Sequence, residues 1–410
     1  MEIYGIDLDR YSKVIIDIGL NLQVGEELVI SAPIESAPLV RQVTKYAYKK
    51  GAKLVTVFYS DDIVSRETFL NVDTDIIADI PLHVKSGKDY IVQKKAVYLG
   101  ILCDDPTVFD GVDPLKIVAR QKAIVKACPE YRKSLDTNST RWCLVAFPNK
   151  KWADLVFGNK EDSITMLGEK IATAMWIDKE NYLELWQEHT QKLKERSQFL
   201  NNAKIKSFTY KNSIGTNFTI DMPQDYIFSG ANEKGNLDGV DFVANMPTQE
   251  VFSSPDFRTA NGTLVSSMPL VVNGVIVDNF KFEFKNGEMV SYSAEKGLET
   301  LESILSIDDG MKRLGEIALV DYSSPIRQSG VLFYETLFDE NASCHFALGK
   351  SFSSCYKNGN NTSEEELLKV GLNKSDSHVD FMVGTKDLSI VATTFSGEKI
   401  EIFKNGKWTF

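Results

Sequence analysis

Histidine is scarce in this chain, four in 410 residues, and the five cysteines contain no CxxC pair. Cys103, Cys128, Cys143, Cys344 and Cys355 are odd in number, which argues against a disulfide framework and against a thiolate zinc site; they read as reduced thiols of a cytoplasmic protein. No uncharged apolar run approaches the roughly 20 residues needed to cross a bilayer. The start, MEIYGIDLDRYSK, places charges where a secretory signal needs an apolar stretch, so a soluble intracellular protein is expected. Neither GxGxxG nor GxxxxGK[ST] occurs, so nucleotide binding has no motif behind it. Ser36, Ser65 and the group Ser351, Ser353 and Ser354 all lack a GxSxG context, which argues against a serine nucleophile. There is no internal repeat and no low-complexity tract. Basic residues are outnumbered, 46 Lys and Arg against 57 Asp and Glu, for a net charge of −11. Such a surface repels phosphate backbones and anionic lipid, so neither nucleic acid nor membrane is an expected partner. The acidic excess suits a substrate with a free amine, and it suits solubility equally well.

What is present is ordinary globular material, 43% hydrophobic and 25% charged, in a chain long enough for two domains. The first half alternates strand and helix signals. Glu27 to Ala32 reads as a buried strand. Ser36 is the expected N-cap of a helix with Pro38 in its first turn, with Leu39, Val40, Val43 and Ala47 at helical spacing and Gly51 as its stop. Lys53 to Tyr59, Ala96 to Cys103 and Trp142 to Phe147 read as further strands; Pro114 to Ala127, Ser163 to Trp176 and Glu180 to Asn201 read as helices. An α/β N-terminal domain over 1–202, with an open, mostly parallel sheet and helices on both faces, is expected. The acid pairs Asp61-Asp62 and Asp104-Asp105 follow strands of this domain, where helix capping accounts for them most simply.

Beyond residue 202 the composition changes. Every Asn-Gly dipeptide, at Asn261, Asn273, Asn286, Asn358 and Asn405, lies there, and Asn-Gly is the strongest short hairpin signal. Leu264 to Val272, Val275 to Phe284 and Glu288 to Ser293 read as a meander, and Leu388 to Phe410 as further hairpins. A β-rich α+β domain over 203–410 is expected, with short helices near Leu298 to Leu305 and Glu364 to Val370.

The chemistry-bearing residues cluster in this second half. His378 and Asp380 in SHVDFMVG stand at i and i+2, so on a strand both point to one face while Val379 and Phe381 face the core. A bare HxD is also consistent with a simple His–Asp hydrogen bond. Asp339, Glu340 and His345 crowd a polar stretch, where a capped turn with a merely packed histidine is the plain alternative. Glu316, in RLGEIALVD, lies in a run apolar on both faces; buried there it must be paired, protonated or on a cation, with Arg313 as a competing structural partner. Glu250, in NMPTQEVFSSPD, reads alone as a surface glutamate. His83 and His189 lie in polar surroundings and read as solvated. Together, imidazole and carboxylate suit Zn²⁺, Co²⁺ or Mn²⁺ better than Ca²⁺, which takes oxygen alone.

With these segments in order, PTQEVF, RLGEIALVD, LFDENASCHFALG and SHVDFMVGT, the chain resembles the bacterial thermophilic-type metalloaminopeptidases, the family of aminopeptidase T, aminopeptidase S and PepS, over essentially its whole length. The resemblance implies metal ligands at Glu250, Glu316, Glu340, His345, His378 and Asp380. It also implies two divalent metals per subunit, zinc favoured, and removal of N-terminal residues from short peptides with a free N-terminus. A homodimer with an enclosed cavity is implied as well. One position departs. Seven residues after the motif histidine the family carries a tyrosine, and here stands Phe352, which keeps the shape but cannot donate to a developing oxyanion. Losing one such donor costs about 10²–10³ in turnover.

The leading expectation is therefore metal-assisted hydrolysis of the first peptide bond, with the two ions sharing Glu316 and activating water, and with Glu250 or Glu340 carrying the proton. A weakly active or non-catalytic metal-binding dimeric relative is the second expectation, resting on Phe352. A purely structural salt-bridge cluster around Arg313 is the third, and it requires no metal.

Overall fold

A computed structural model describes residues 1–231, 233–272 and 275–410 of the chain. Contacts divide the chain into two compact units, Met1–Glu188 with Asn232–Pro247, and His189–Ala231 with Thr248–Phe410. Among the described residues, no helix is long and apolar enough to cross a membrane.

The first unit holds a four-stranded, all-parallel sheet. Its spatial order is Leu54–Ser60, Glu27–Pro33, Val97–Leu102, Trp142–Ala146. Glu27–Pro33 has a strand on each side and is buried almost throughout, as a near-continuous apolar run demands. Leu54–Ser60 is an edge, and its Leu54, Phe58 and Tyr59 are exposed. Helix Ala37–Lys50 buries Leu39, Val40, Val43 and Ala47 and ends at Gly51, whose φ of 103° is a left-handed conformation that glycine takes without strain. Ser36, however, does not cap this helix: its hydroxyl donates to the Pro33 carbonyl at 2.7 Å, because a short 3-10 turn over Ile34–Ser36 precedes the helix. The acid pairs are engaged in backbone bonds. Asp61 accepts from the N–H groups of Ile63 and Val64, and Asp62 accepts from that of Asp105.

Residues after 232 add to this sheet. Leu144 donates to the Ala244 carbonyl at 2.7 Å and Met246 donates back to Leu144 at 3.0 Å, extending the sheet beyond Trp142–Ala146. Next to this edge the buried guanidinium of Arg141 donates to the carbonyls of Leu20 and Asn21 and pairs with Asp238 at 2.8 Å and with Glu26. A buried cation so fully supplied with acceptors anchors the returning segment.

The second unit contains a large antiparallel sheet of eight strands and a smaller antiparallel one of four. The smaller sheet runs Glu250–Ser253, Leu314–Val320, His345–Gly349, His378–Met382. Its Phe346 meets Tyr210 and Phe218 of the larger sheet at 4.9 and 5.4 Å between ring centroids, and Phe381 meets Phe282 at 5.0 Å. Alternation sets the two faces: these rings go into the shared core, and residues one step along the strand face the other way.

Asn-Gly turns form where expected at two places. Asn286-Gly287 and Asn405-Gly406 pair left-handed conformations, φ 50° and 83°, then 51° and 71°, between antiparallel strands. Asn261-Gly262 instead lies within strand Asn261–Val265, and Asn358 opens a 3-10 turn. Asn273-Gly274 lies outside the described residues. The two long strands expected before and after it are each broken. Asn261–Val265 and Lys281–Lys285 belong to the large sheet, whereas Leu270–Val272 and Val275–Val277 pair in a separate ribbon. Pro269, which has no N–H to give a ladder, and Asn279 at φ 49° mark the breaks.

Candidate metal centre

The outward face of the four-stranded sheet collects the polar residues. Across it, Glu316, Ala347 and Asp380 lie in one row; the next contains Phe252, Ala318, His345 and Met382; Glu250 opens the edge strand opposite Val320, and His378 stands opposite Gly349. Ala318 and Ala347, both fully buried, leave the space into which the longer side chains converge. A bulge between Leu314 and Glu316 bends the middle strand, and Gly315 permits it: a Cβ there would lie 2.4 Å from the carbonyl oxygens of Gly349 and Lys350. That approach leaves the Lys350 carbonyl within reach of His378.

Both histidines are held alike. His345 Nδ1 lies 3.2 Å from the Ser343 carbonyl and His378 Nδ1 lies 2.7 Å from the Lys350 carbonyl. A carbonyl only accepts, so Nδ1 of each ring bears a proton and Nε2 faces the acids. His345 Nε2 stands 3.1 Å from Glu250; His378 Nε2 stands 2.9 Å from Glu316 and 3.2 Å from Asp380. Two donor groups result, Glu250 with Glu316 and His345, and Glu316 with His378 and Asp380, the atoms of each within 4.8 Å of one another. Glu316 belongs to both. Glu340 belongs to neither; it shares a small pocket with Asp380, Leu270 and Met382. Thus five of the six residues converge into the two groups and the sixth lies beside them. Arg313 does not pair with Glu316; it lies over the Phe257 ring at 4.7 Å, and Glu316 meets His378 instead.

The electrostatics say what this arrangement lacks. Burial, with the charges of Asp380 and Glu250, outweighs His378 and holds Glu316 up at about 7. Burial and the charges of Asp380 and Glu250 push Glu340 well above the glutamate range. Burial opposes charge on His345, yet its hydrogen bond to Glu250 and the surrounding carboxylates raise it to about 10. His378 is raised well above its ordinary value against the same penalty, by Asp380 and Glu316. Four carboxylates around two imidazoles thus call for positive charge. A divalent cation supplies it, and imidazole nitrogen fixed by an Nδ1–H···O=C bond, mixed with carboxylate oxygen, is the donor chemistry of Zn²⁺, Co²⁺ and Mn²⁺.

Nearby residues take plainer roles. Asp339 accepts from the N–H groups of Phe333 and Glu335 at 2.8 and 3.2 Å and organises the turn before Glu340. Cys344 is buried with its thiol against the Val320 backbone, and burial raises it to about 12. Phe352 packs on the His378 ring at 4.8 Å and on Phe252 at 5.8 Å. His83 is exposed, but His189 is not the solvated residue expected: its Nε2 lies 2.7 Å from the Thr248 carbonyl, and burial lowers its pKa to about 4. The signal was available, because His189 falls in the stripe Trp186, Leu193, Leu200 of helix Tyr182–Asn202.

A sheet face of buried carboxylates and oriented imidazoles has the donor set of a metal-dependent enzyme. The chain belongs to the family described as Thermophilic metalloprotease (M29), which it matches over residues 5–408. It is 37% identical over 406 residues to Aminopeptidase 2 of Geobacillus stearothermophilus, covering 98% of each chain. It is likewise 37% identical to Aminopeptidase AmpS of Bacillus subtilis over the full length of both. Its fold superposes on the solved structure of wild-type AmpT from Thermus thermophilus with a TM-score of 0.91, at 30% identity, covering 98% of this chain and 99% of that one.

Proposed function

We propose that this chain is a metal-dependent aminopeptidase that releases N-terminal residues from short peptides. The observation that carries the reading is Glu316, whose carboxylate belongs to both donor groups. In this reading Glu250, Glu316 and His345 hold one divalent cation and Glu316, His378 and Asp380 a second, so the metal site lies in the β-rich second unit. Bound there, such cations lower the pKa of water from 15.7 towards about 7 and polarise a carbonyl oxygen.

The chain's own residues do the rest. The Ser343 and Lys350 carbonyls hold each imidazole in the tautomer that presents Nε2. Of the two candidates for moving the proton to the leaving amine, Glu250 is engaged with His345. Glu340 lies outside both groups, in the small pocket beside Asp380, and we assign it that transfer. The acidic lining favours the protonated α-amine of a peptide over an anionic group. Zinc as the native metal, a homodimer and a cytoplasmic setting complete the reading.

A panel of aminoacyl-p-nitroanilides assayed with Zn²⁺, Co²⁺ or Mn²⁺ tests it, with His345→Ala as control. Metal-dependent release that the variant lacks is the expected result; no release, or unchanged release by the variant, defeats the reading. Phe352 favours a second reading, a metal-binding relative with little turnover, because an apolar ring covers His378 where a phenol would offer a donor. A gain of activity in Phe352→Tyr decides between the two.

A further inference from the structure

The antiparallel ladder that fixes the edge strand begins at Glu250, which pairs with Val320. Thr248 and Gln249 precede it, buried, and lie outside that ladder. Their backbone groups are instead taken up by two side chains. His189 donates from Nε2 to the Thr248 carbonyl at 2.7 Å, and Asn341 Oδ1 accepts the Gln249 N–H at 2.7 Å. The amide orientation of Asn341 is unambiguous, since Gln249 N–H can only donate and the Leu337 carbonyl, 3.0 Å from Nδ2, can only accept. Asn341 is fully buried, follows Glu340 in the chain, and has its own carbonyl held by the Ser324 hydroxyl at 2.7 Å. One planar amide therefore joins the strand that carries Glu250 to the turn that carries Glu340. It does so without adding a fifth carboxylate to the four already present.

We propose that Asn341 and His189 are positioning residues of the metal centre: by holding the backbone of 248–249 from two sides they set where the Glu250 carboxylate stands relative to His345 and Glu340. The inference rests on the metal-binding reading above. Asn341→Ala leaves the Gln249 N–H without its acceptor and frees the start of the strand; His189→Ala does the same at the Thr248 carbonyl. His189→Gln keeps an N–H donor of similar reach. Groups that orient metal-bound side chains in this way typically change metal affinity by about 10–100-fold when removed.

The test uses the full chain stripped of metal and titrated with Co²⁺, followed by its visible d–d absorption. Zn²⁺ affinity is measured in parallel by competition with a chromophoric chelator, and a thermal melt of each metal-free variant confirms folding. The wild type is expected to bind Co²⁺ with the spectrum of a nitrogen–oxygen site. Asn341→Ala and His189→Ala are expected to lose about 10–100-fold in affinity for at least one equivalent and to alter the band intensities. His189→Gln is expected to recover most of the loss. Where Asn341→Ala does not fold, the His189 pair decides. Variants that bind Co²⁺ within about two-fold of the wild type and with its spectrum, or a His189→Gln as weak as His189→Ala, overturn the inference alone. A wild type that binds no Co²⁺ overturns the metal reading and this inference together.

Discussion

The two halves of the cluster share a plan and differ in depth. The His345 side chain, on an inner strand, is 1% exposed and meets Glu250, whereas that of His378, on an edge strand, is 20% exposed and meets two acids, Glu316 and Asp380. Water can partly replace a lost partner at the outer half and cannot at the inner one. The inner half therefore carries the greater structural weight, while at the outer half Phe352 packs on the His378 ring.

Truncating each histidine sharpens that contrast most. In metal-free protein His345→Ala leaves Glu250 buried without its partner and should cost about 3–5 kcal/mol, as breaking buried ion pairs does. His378→Ala should cost less, about 1.5–3 kcal/mol, the range for hydrogen bonds to charged groups. Urea unfolding of the two variants gives both numbers, and equal losses would erase the distinction. Both variants should lack peptidase activity.

Metal removal comes next. A cation present at 100 times its dissociation constant should stabilise the fold by about 2.7 kcal/mol. The melting temperature should therefore fall on chelation and recover on adding Zn²⁺, with the outer equivalent leaving first. Phe352→Tyr adds a phenol at the ring that packs on His378. It should raise kcat by up to about 10²-fold and move stability by no more than about 0.5 kcal/mol, as steady-state kinetics and melting curves will show.

A pH effect concerns the support of the inner half. His189 titrates at about 4 when folded against 6.5 in the unfolded chain, so the folded state binds the proton less well. Its contribution to stability is complete above pH 6.5 and declines as pH falls from there towards 4. A pH series of unfolding curves should show that decline in the wild type and a flatter profile in His189→Gln.

What the sequence made legible was local. Val40, Val43 and Ala47 at helical spacing before Gly51 marked their helix, and the apolar run at Glu27 marked the central parallel strand. His378 and Asp380 needed only a strand to share a face. What escaped was long-range. Glu250 resembles a surface glutamate until a sheet places it against His345, and nothing near residues 238–246 announces their return to Arg141 and the Trp142 strand. Asn341 reads as a turn residue because its acceptor role faces Gln249, far along the chain. The alternation rule also had no means of seeing that Ala318 and Ala347 hollow out the polar face. Asn-Gly succeeded at residues 286 and 405, where strands flank it directly, and misled at 261 and 358, where it lies inside a strand or opens a 3-10 turn.

Anomalous diffraction at the zinc edge, from crystals grown with Zn²⁺, tests the paired-cation reading most directly. Two peaks are predicted, one among Glu250, Glu316 and His345 and one among Glu316, His378 and Asp380, both within bonding distance of the Glu316 carboxylate. Full-occupancy peaks elsewhere, or none on this sheet face, would contradict the account.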